Sequence, residues 1–481
     1  MTALESLLIA QSRLRKVPIW WVGGPVRDEV LQRPWLDGDV ACRGALALAK
    51  SISRKVHGKL IVLDDQYRIY RVIIPEGGYT LDVAELQGRT IEEDLARRDF
   101  TINAMARLVG TSTIIDPWKG IQDLKRKTVR TLSLKVLKED PVRRLRAFRF
   151  AAQLNFKIDP KTLAWVRKGS LSTIAAERIR EEFLKLLVSP QTGSTLDAMD
   201  RAGLLIEIIE ELEACRWTAR SFYGSGGVLR HSLNTVKNLE WILGRLTLYL
   251  SHKHADMVHG YLHEPIGGHP RLAWLKLGAL LHDIGKPATA KKIGGRLRFF
   301  GHEEVGADMA GPFAKRLRLS RQETQLVRSY VKHHMRLGSL AAASAATPKA
   351  LFRYFRDLGG SEGVGMILIS LADHYDYLNA KKWGKKSDPV EKLAIRMLDT
   401  FYADQALMKP QRLITGHDIM RVLRLKPSPQ IGDILEKVQD AQVDGKIKSK
   451  DEALAFVKAL ALSVPSTRQR VVFSPRRGPS R

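Results

Sequence analysis

Apolar positions change their period along this chain, and the change marks its parts. Up to about residue 135, short apolar runs alternate with turn residues: 17–22 is broken by Gly23-Gly24, and 60–63, 70–74 and 80–84 follow. Such runs predict strands. Over 136–250 apolar residues recur at spacings of three and four, as in Val142, Leu145, Phe148 and Ala152, which predicts helices. The same period returns in 272–282, 323–333 and 366–379. Between these blocks, 251–269 carries five histidines at irregular spacing among Gly, Pro and Asp; a surface loop is predicted rather than a metal tract. A small helical tail follows over 410–462, and the Pro-, Ser- and Arg-rich end from Ser463 predicts disorder.

Length and charge narrow the class. At about 150 residues per domain, 481 residues suggest about three domains. An apolar share of 44% and a charged share of 27% exclude collagen-like and wholly disordered chains. Lys and Arg number 79 against 51 Asp and Glu, a formal charge of +28. That field attracts polyanions, nucleic acid before anionic membrane; the bland alternative is a basic protein with no such ligand. Cys42 and Cys215 are too few and too distant for a disulfide framework or zinc ribbon, and suit a reducing cytosol. Residues 1–16 lack a signal-peptide core, and no apolar run approaches a bilayer span, so no membrane association is expected.

Three features carry chemistry in the first part. Ile19-Trp20-Trp21-Val22 leads into Gly23-Gly24-Pro25-Val26-Arg27-Asp28, a strand, a two-glycine turn and a helix opening with Pro. Glycines let backbone N–H groups approach a phosphate, the helix N-terminus adds partial positive charge, and Arg27 offers a charge-assisted contact. Asp37 and Asp39 flank Gly38; on a strand they share a face. Paired carboxylates call for a hard cation such as Mg²⁺; a polar Asp-Gly turn is the plain alternative. Asp82 lies in the apolar run Leu81-Asp82-Val83-Ala84, where it serves either as a third carboxylate or as the partner of an arginine.

The stretch GGPVRDEVLQRPWLDGDVA resembles the signature of the class II tRNA nucleotidyltransferase and bacterial poly(A) polymerase family. Further segments follow in order: RRDFTINAMA at 97–106, Asp116-Pro117 with Gly120 and Asp123-Leu124, Glu139-Asp140-Pro141-Val142-Arg143, and Glu177-Arg178-Ile179-Arg180-Glu181-Glu182. The resemblance implies Asp37, Asp39 and Asp82 as catalytic. It implies Gly23, Gly24, Arg27, Arg98, Asp99, Asn103, Asp140, Arg143, Arg146 and Arg149 as nucleotide-binding, with the 97–106 segment at the ribose. Asp140 and Arg143, three apart, are expected on one helix face, reading the base edge; both cytosine and adenine offer an amine there. Helix 177–182 is expected to support them. CCA-adding members carry a longer flexible loop between the third carboxylate and RRDFTINA; here 82–96 is short and lacks the family's Thr-Phe-Arg. Members with such a shortened loop include enzymes adding only CC.

A second constellation resembles the HD superfamily of metal-dependent phosphohydrolases: His231 at the start of a helix, His282-Asp283, then His302, His333 and His334, then Asp373. The resemblance implies His231, His282, Asp283 and Asp373 as ligands of Mn, Ni or Fe. Lys286 is expected either to steady a phosphate or to cap its helix. The C-terminal segments around Thr415 and Gly432 resemble the family's tRNA-contacting tail.

The expected fold class is α+β: a nucleotidyltransferase-type α/β head with a mixed sheet (1–135), an all-α neck for base reading and RNA (136–215), an HD-type helical domain (216–400), a helical tail (401–462) and a disordered basic tail (463–481). The expected activity is template-independent addition of C and/or A to the tRNA 3′ end from CTP and ATP, with Mg²⁺, releasing pyrophosphate, plus an HD phosphohydrolase activity. No protein partner is expected. The alternatives are CC-only or poly(A) synthesis, an HD phosphohydrolase with a silent head, or RNA binding without catalysis.

Overall fold

The computed structural model describes residues 3–35, 37–343, 347–378, 383–404 and 410–463. The expected disordered tail therefore lies outside the described residues apart from Ser463, which ends a helix. The chain divides into two compact units. The first comprises Met1–Arg245, Leu262–His334 and Tyr375–Asn379; the second comprises Leu246–Tyr261, Met335–His374 and Ala380–Arg481.

The first unit begins with a seven-stranded sheet in the order β3-β4-β5-β2-β1-β6-β7. The strands are β1 (Ile19–Val22), β2 (Asp37–Cys42), β3 (Lys59–Asp64), β4 (Ile69–Ile74), β5 (Tyr79–Glu85), β6 (Ala106–Leu108) and β7 (Ile114–Ile115). β2 and β5 run parallel and the other neighbours antiparallel, so the sheet is mixed. Parallel pairing needs a crossover, and the helix Ala45–Lys55 with the β3–β4 hairpin supplies it. Leu48, Ala49 and Ile52 on that helix and Val72, Leu81 and Val83 on the strands are fully buried. The pleat then decides the site: alternate residues of β2 and β5 build this core, and Asp39 and Asp82, in register, face the other way.

Beyond the sheet the unit is helical. Val142, Leu145, Phe148 and Ala152 are buried, as their spacing requires. The helix Arg271–Leu281 is buried on every side. Its Lys276 is held by Ser189 O, Thr192 Oγ1 and Glu240 at 2.7–3.0 Å, so the buried ammonium is satisfied.

In the second unit, Gly416–Leu423, Pro429–Val443 and Lys450–Ser463 form a small core of Ile414, Ile419, Ile431, Val438 and Val457. Thr415 and Asp418 close a capping box.

Three expectations fail. Residues 251–269 are not a loop: His252–His263 is a helix, followed by paired strands Pro265–Ile266 and His269–Pro270. Ala255, Val258, Tyr261 and Leu262 are buried, at i, i+3, i+6 and i+7, a face that the histidine count masked. Asp140 and Arg143 do not share a helix. Asp140 is extended (φ −140, ψ 91) at the end of Leu134–Glu139, because Pro141 disfavours helical backbone before it, and Arg143 opens the next helix, Arg143–Leu154. His231 is not at a helix start but one turn inside Gly227–Leu243, whose two leading glycines hid its beginning.

Candidate active site

β1 ends at the two-glycine turn. Gly23 has φ +69, and a Cβ there would stand 3.0 Å from Arg98 Nη1. Glycine thus supplies a conformation and a clearance that side-chain-bearing residues lack. The helix Gly24–Val30 starts at once, with Pro25 in its first turn. Together they wall a cavity of about 690 Å³. Every residue expected from the sequence to be catalytic or nucleotide-binding lines it, with the exception of Asp82.

Asp37 and Asp39 both face the cavity. Beneath them Gly38 leaves room for the Trp21 ring, which a Cβ would meet at 3.0 Å. Asp39 is pushed up to about 6, first by burial and then by Asp82 and Asp37, with Arg98 opposing. Asp82 sits opposite Asp39 in the β2–β5 register, but its carboxylate is held by Arg71 Nε and Nη2 at 2.7 and 2.8 Å. Both readings of Asp82 thus hold in part: it is near the pair, and it is arginine-bound. Three carboxylates crowded so that one resists ionisation fit a divalent cation.

Carboxylates behind the pocket orient its guanidiniums. Arg27 is bidentate to Asp28 and donates to Asn103 Oδ1 at 3.0 Å. Asp99 accepts from Asn103 Nδ2 at 3.1 Å and Arg146 Nε at 2.8 Å. Burial alone would raise the Asp99 carboxyl; Arg146 and Asn103 outweigh it and hold it below its usual range. Glu182, on the helix Ala176–Leu187, reaches Arg146 at 3.1 Å and Arg149 at 2.6 Å. Burial lowers Arg149 to about 10 despite Glu182. Arg178 of the same helix donates to Asp140 Oδ2 at 2.8 Å, while Arg143 Nε stands 3.7 Å from that oxygen. Asp140 Oδ1 is buried and accepts no hydrogen bond.

Sequence reasoning missed two aromatic liners, Trp35 and Phe150. Arg149, Arg146 and Arg27 stand 4.2, 5.3 and 5.5 Å from the Phe150 ring. The guanidiniums are thus stacked as well as paired. The arginine-aromatic alternation of Arg146-Ala147-Phe148-Arg149-Phe150 was the available signal.

The second constellation converges more fully than expected. His231, His282 and Asp283 are all but inaccessible. Asp283 Oδ2 lies 3.3 Å from His231 Nε2 and from His282 Nε2. Asp283 Oδ1 lies 3.3 Å from His302 Nε2 and 3.6 Å from His334 Nε2. Burial opposes the Asp283 charge, yet His282 and Lys286 hold its carboxyl well below the usual range. Each imidazole uses Nδ1 elsewhere: His282 to Ala279 O, His302 to Phe299 O, His334 to Val331 O, and His231 to Asp376, all at 2.7–2.8 Å. Those bonds fix the tautomers, so the Nε2 lone pairs point inward, 3.2 Å apart for His231–His282 and 3.3 Å for His302–His334. Lone pairs so placed repel unless a cation lies among them, and the donor set fits a transition metal. His302 and His334 stand in the constellation read from the sequence but outside its four expected ligands; the outer partner Asp376 carried no signal of its own. Asp373 lies in the second unit, on the helix Glu362–Tyr375. Lys286 neither caps a helix end nor stands free, but contacts Asp283 and donates to Tyr223 Oη at 2.8 Å.

A mixed sheet presenting carboxylates beside a glycine turn and an arginine-lined cavity defines a nucleotidyltransferase head. Comparison with known proteins agrees. Residues 19–130 match the poly A polymerase head domain, 155–216 the RNA and SrmB-binding site of polymerase A, 228–378 the HD domain and 385–457 the tRNA nucleotidyltransferase domain 2. A CC-adding tRNA nucleotidyltransferase of Synechocystis sp. is 31% identical over 450 residues, 92% of this chain and 93% of that protein. An A-adding tRNA nucleotidyltransferase of Deinococcus radiodurans is 30% identical over 458 residues, 93% of this chain and 96% of that protein. The fold is shared with the Bacillus stearothermophilus CCA-adding enzyme solved in complex with CTP (TM-score 0.62, 21% identity, 96% of this chain and 98% of that one). The chain belongs to the tRNA nucleotidyltransferase and poly(A) polymerase family, in its HD-domain-containing form.

Proposed function

We propose that this chain is a template-independent RNA nucleotidyltransferase that adds C and/or A to the 3′ end of tRNA from CTP and ATP, releasing pyrophosphate. The observation that carries the reading is the placement of Asp37 and Asp39 beside the Gly23-Gly24 turn, within an arginine-lined cavity of about 690 Å³, with Asp82 opposite Asp39 in the sheet.

Asp37 and Asp39 would hold Mg²⁺, with Asp82 assisting; when bound, the ion neutralises charge at the attacking hydroxyl and the triphosphate. The chain's own groups do the positioning. The helix N-terminus at Gly24, with Arg27 and Arg98, receives the triphosphate. Asp99 and Asn103 hold the ribose. Asp140, which lines the cavity, accepts from the exocyclic amine of cytosine or adenine, and Arg143 donates to the ring. Arg146 and Arg149 brace the base site from behind. The 3′ hydroxyl attacks the α-phosphorus, and the bond to pyrophosphate breaks.

A second reading is CC-only addition. After β5, residues 86–90 form a short bonded link: Gln87 N donates to Asp94 Oδ1, Arg89 N to Glu93 Oε2, and Thr90 caps the helix Ile91–Leu95. That leaves little loop for a switch from C to A. Incubating the chain with tRNA lacking its CCA end, with CTP, ATP or both, separates these readings by product length. No increment beyond CC with both nucleotides excludes full CCA addition, and no addition either to this tRNA or to one ending in CC overturns the assignment.

The proposal extends to the histidine cluster as a phosphohydrolase centre holding Mn, Ni or Fe on His231, His282, Asp283, His302 and His334. The four-part division at 135, 215 and 400 is retained as a functional division. A cytosolic location is supported by the two cysteines, both free and buried.

A further inference from the structure

The segment between Lys286 and His302 is a ribbon built for something other than the core. Lys291–Ile293 and Arg296–Arg298 pair antiparallel, closed by Gly294 and Gly295, both at positive φ. All six paired residues are exposed. Among the described residues, Lys291, Lys292, Arg296 and Arg298 have no carboxylate within ion-pair distance and donate no side-chain hydrogen bond. The remaining side chains are apolar and uncovered: Ile293 is 51% exposed and Leu297 36%. The chain then runs through Phe299 and Phe300, the latter 76% exposed, into the buried His302, whose Nδ1 is held by Phe299 O. A ring path continues the surface. Lys286 Nζ lies 5.7 Å from the Phe299 ring and 5.2 Å from the Tyr223 ring, and Tyr223 stacks on His231 with centroids 4.7 Å apart. Phe222, 69% exposed, meets the Tyr223 ring edge-on at 4.8 Å.

We propose that the ribbon 291–298, with the exposed rings of Phe300 and Phe222, is a binding surface for a single-stranded RNA end that leads toward the histidine cluster. Unpaired cations along a ribbon track a phosphate backbone, and exposed rings give bases a stacking face. A duplex offers no bases to stack, so the chemistry selects a single strand. A solvated hairpin that uses lysines only to prevent edge pairing would not need a bare aromatic ring, Phe300, two residues before the buried His302. The destination rests on reading the cluster as a hydrolytic centre; the binding test does not.

The full chain is titrated with a fluorescent cytidine 12-mer at several salt concentrations, with CCA-lacking tRNA in saturating amount to fill the head. The expected result is that a Lys291→Ala/Lys292→Ala/Arg296→Ala/Arg298→Ala variant binds the oligonucleotide at least about tenfold more weakly and with a salt slope shallower by about 2–3, given about 0.7 per phosphate contact. Phe300→Ala alone weakens binding about fivefold, and C addition to tRNA is unchanged in both variants. An oligonucleotide with a 3′-terminal 4-thiouridine crosslinks to peptides containing Phe222 or Phe300. The proposal is overturned if the variants bind as wild type, if tRNA displaces the oligonucleotide, if C addition falls in parallel, or if crosslinks form only in the head. An inert histidine cluster leaves binding intact and removes only the hydrolytic reading.

Discussion

The head pocket and the histidine cluster both gather acidic and basic groups, in opposite ways. In the head the carboxylates stand on a strand at the wall of an open cavity, and their order comes from register: Asp39 faces Asp82 because β2 and β5 are parallel and in phase. In the cluster four imidazoles and Asp283 are buried where helices cross, and their order comes from backbone carbonyls that fix three of the imidazoles and from Asp376, which fixes His231. The open site leaves groups lining its wall for an incoming nucleotide, such as Asp37, Arg98 and Arg143. The buried site commits its nitrogens before anything arrives.

If the two sites are independent, Asp39→Asn separates them most sharply. It should lower nucleotide addition by at least about a thousandfold while metal content at the cluster and any phosphohydrolase rate stay unchanged. Because the variant relieves repulsion with Asp82 and Asp37, its thermal midpoint should not fall. Parallel loss of both activities in a folded protein would erase the distinction.

The reverse test is His302→Ala. With two pairs of imidazoles sharing Asp283, removing one should reduce tightly bound metal by half or more, measured by elemental analysis, and leave C addition within about twofold. Unchanged metal content would remove His302 from the ligand set.

A smaller effect is expected from Arg178→Ala in the head. Asp140 would lose its 2.8 Å donor. The guanidinium is 53% exposed, so the loss is worth about 1 kcal/mol, or about fivefold in kcat/KM. If Arg178 positions Asp140 for the base, the drop should differ between CTP and ATP; an equal drop for both would make the pair merely structural.

The contrast also explains what the sequence could reveal. The head motifs are contiguous, since turn, strand and paired carboxylates lie within 23–39, so their chemistry was readable along the chain. What stayed hidden there was tertiary: the clamping of Asp82 by Arg71, the break that Pro141 places between Asp140 and Arg143, and the arginine-stacked Phe150. The cluster hid more because its members are dispersed. His302 and His334 differ from His333 only in which side of a helix faces inward, and His252–His263 was read as a loop because histidines concealed an apolar face.

The smallest effect should come from the back of the head sheet, where an ion-pair network is remote from the chemistry. Glu5, on the helix Ala3–Arg15, accepts from Trp21 Nε1 at 2.6 Å, Gly110 N at 2.9 Å and Arg107 Nη1 at 3.2 Å. Arg107 also binds Glu29 at 2.9 Å, on the helix that follows the glycine turn. Trp21 lies under Gly38, so this network underpins the strand bearing Asp37 and Asp39. Glu5→Gln keeps an acceptor for the indole but loses the charge, and should lower stability by about 1 kcal/mol at pH 7 with less than about threefold change in addition. Burial opposes the Glu5 charge, but Arg107 and the Gly110 N–H together hold its carboxyl below the ordinary 4.5. Its contribution is therefore fully present above about pH 4.5 and disappears as pH falls through the lowered value. Denaturation midpoints of wild type and Glu5→Gln should converge in acid and separate toward neutrality. A gap that persists unchanged at low pH would show that the lost charge is not the cause, and that Glu5 holds Trp21 by shape alone.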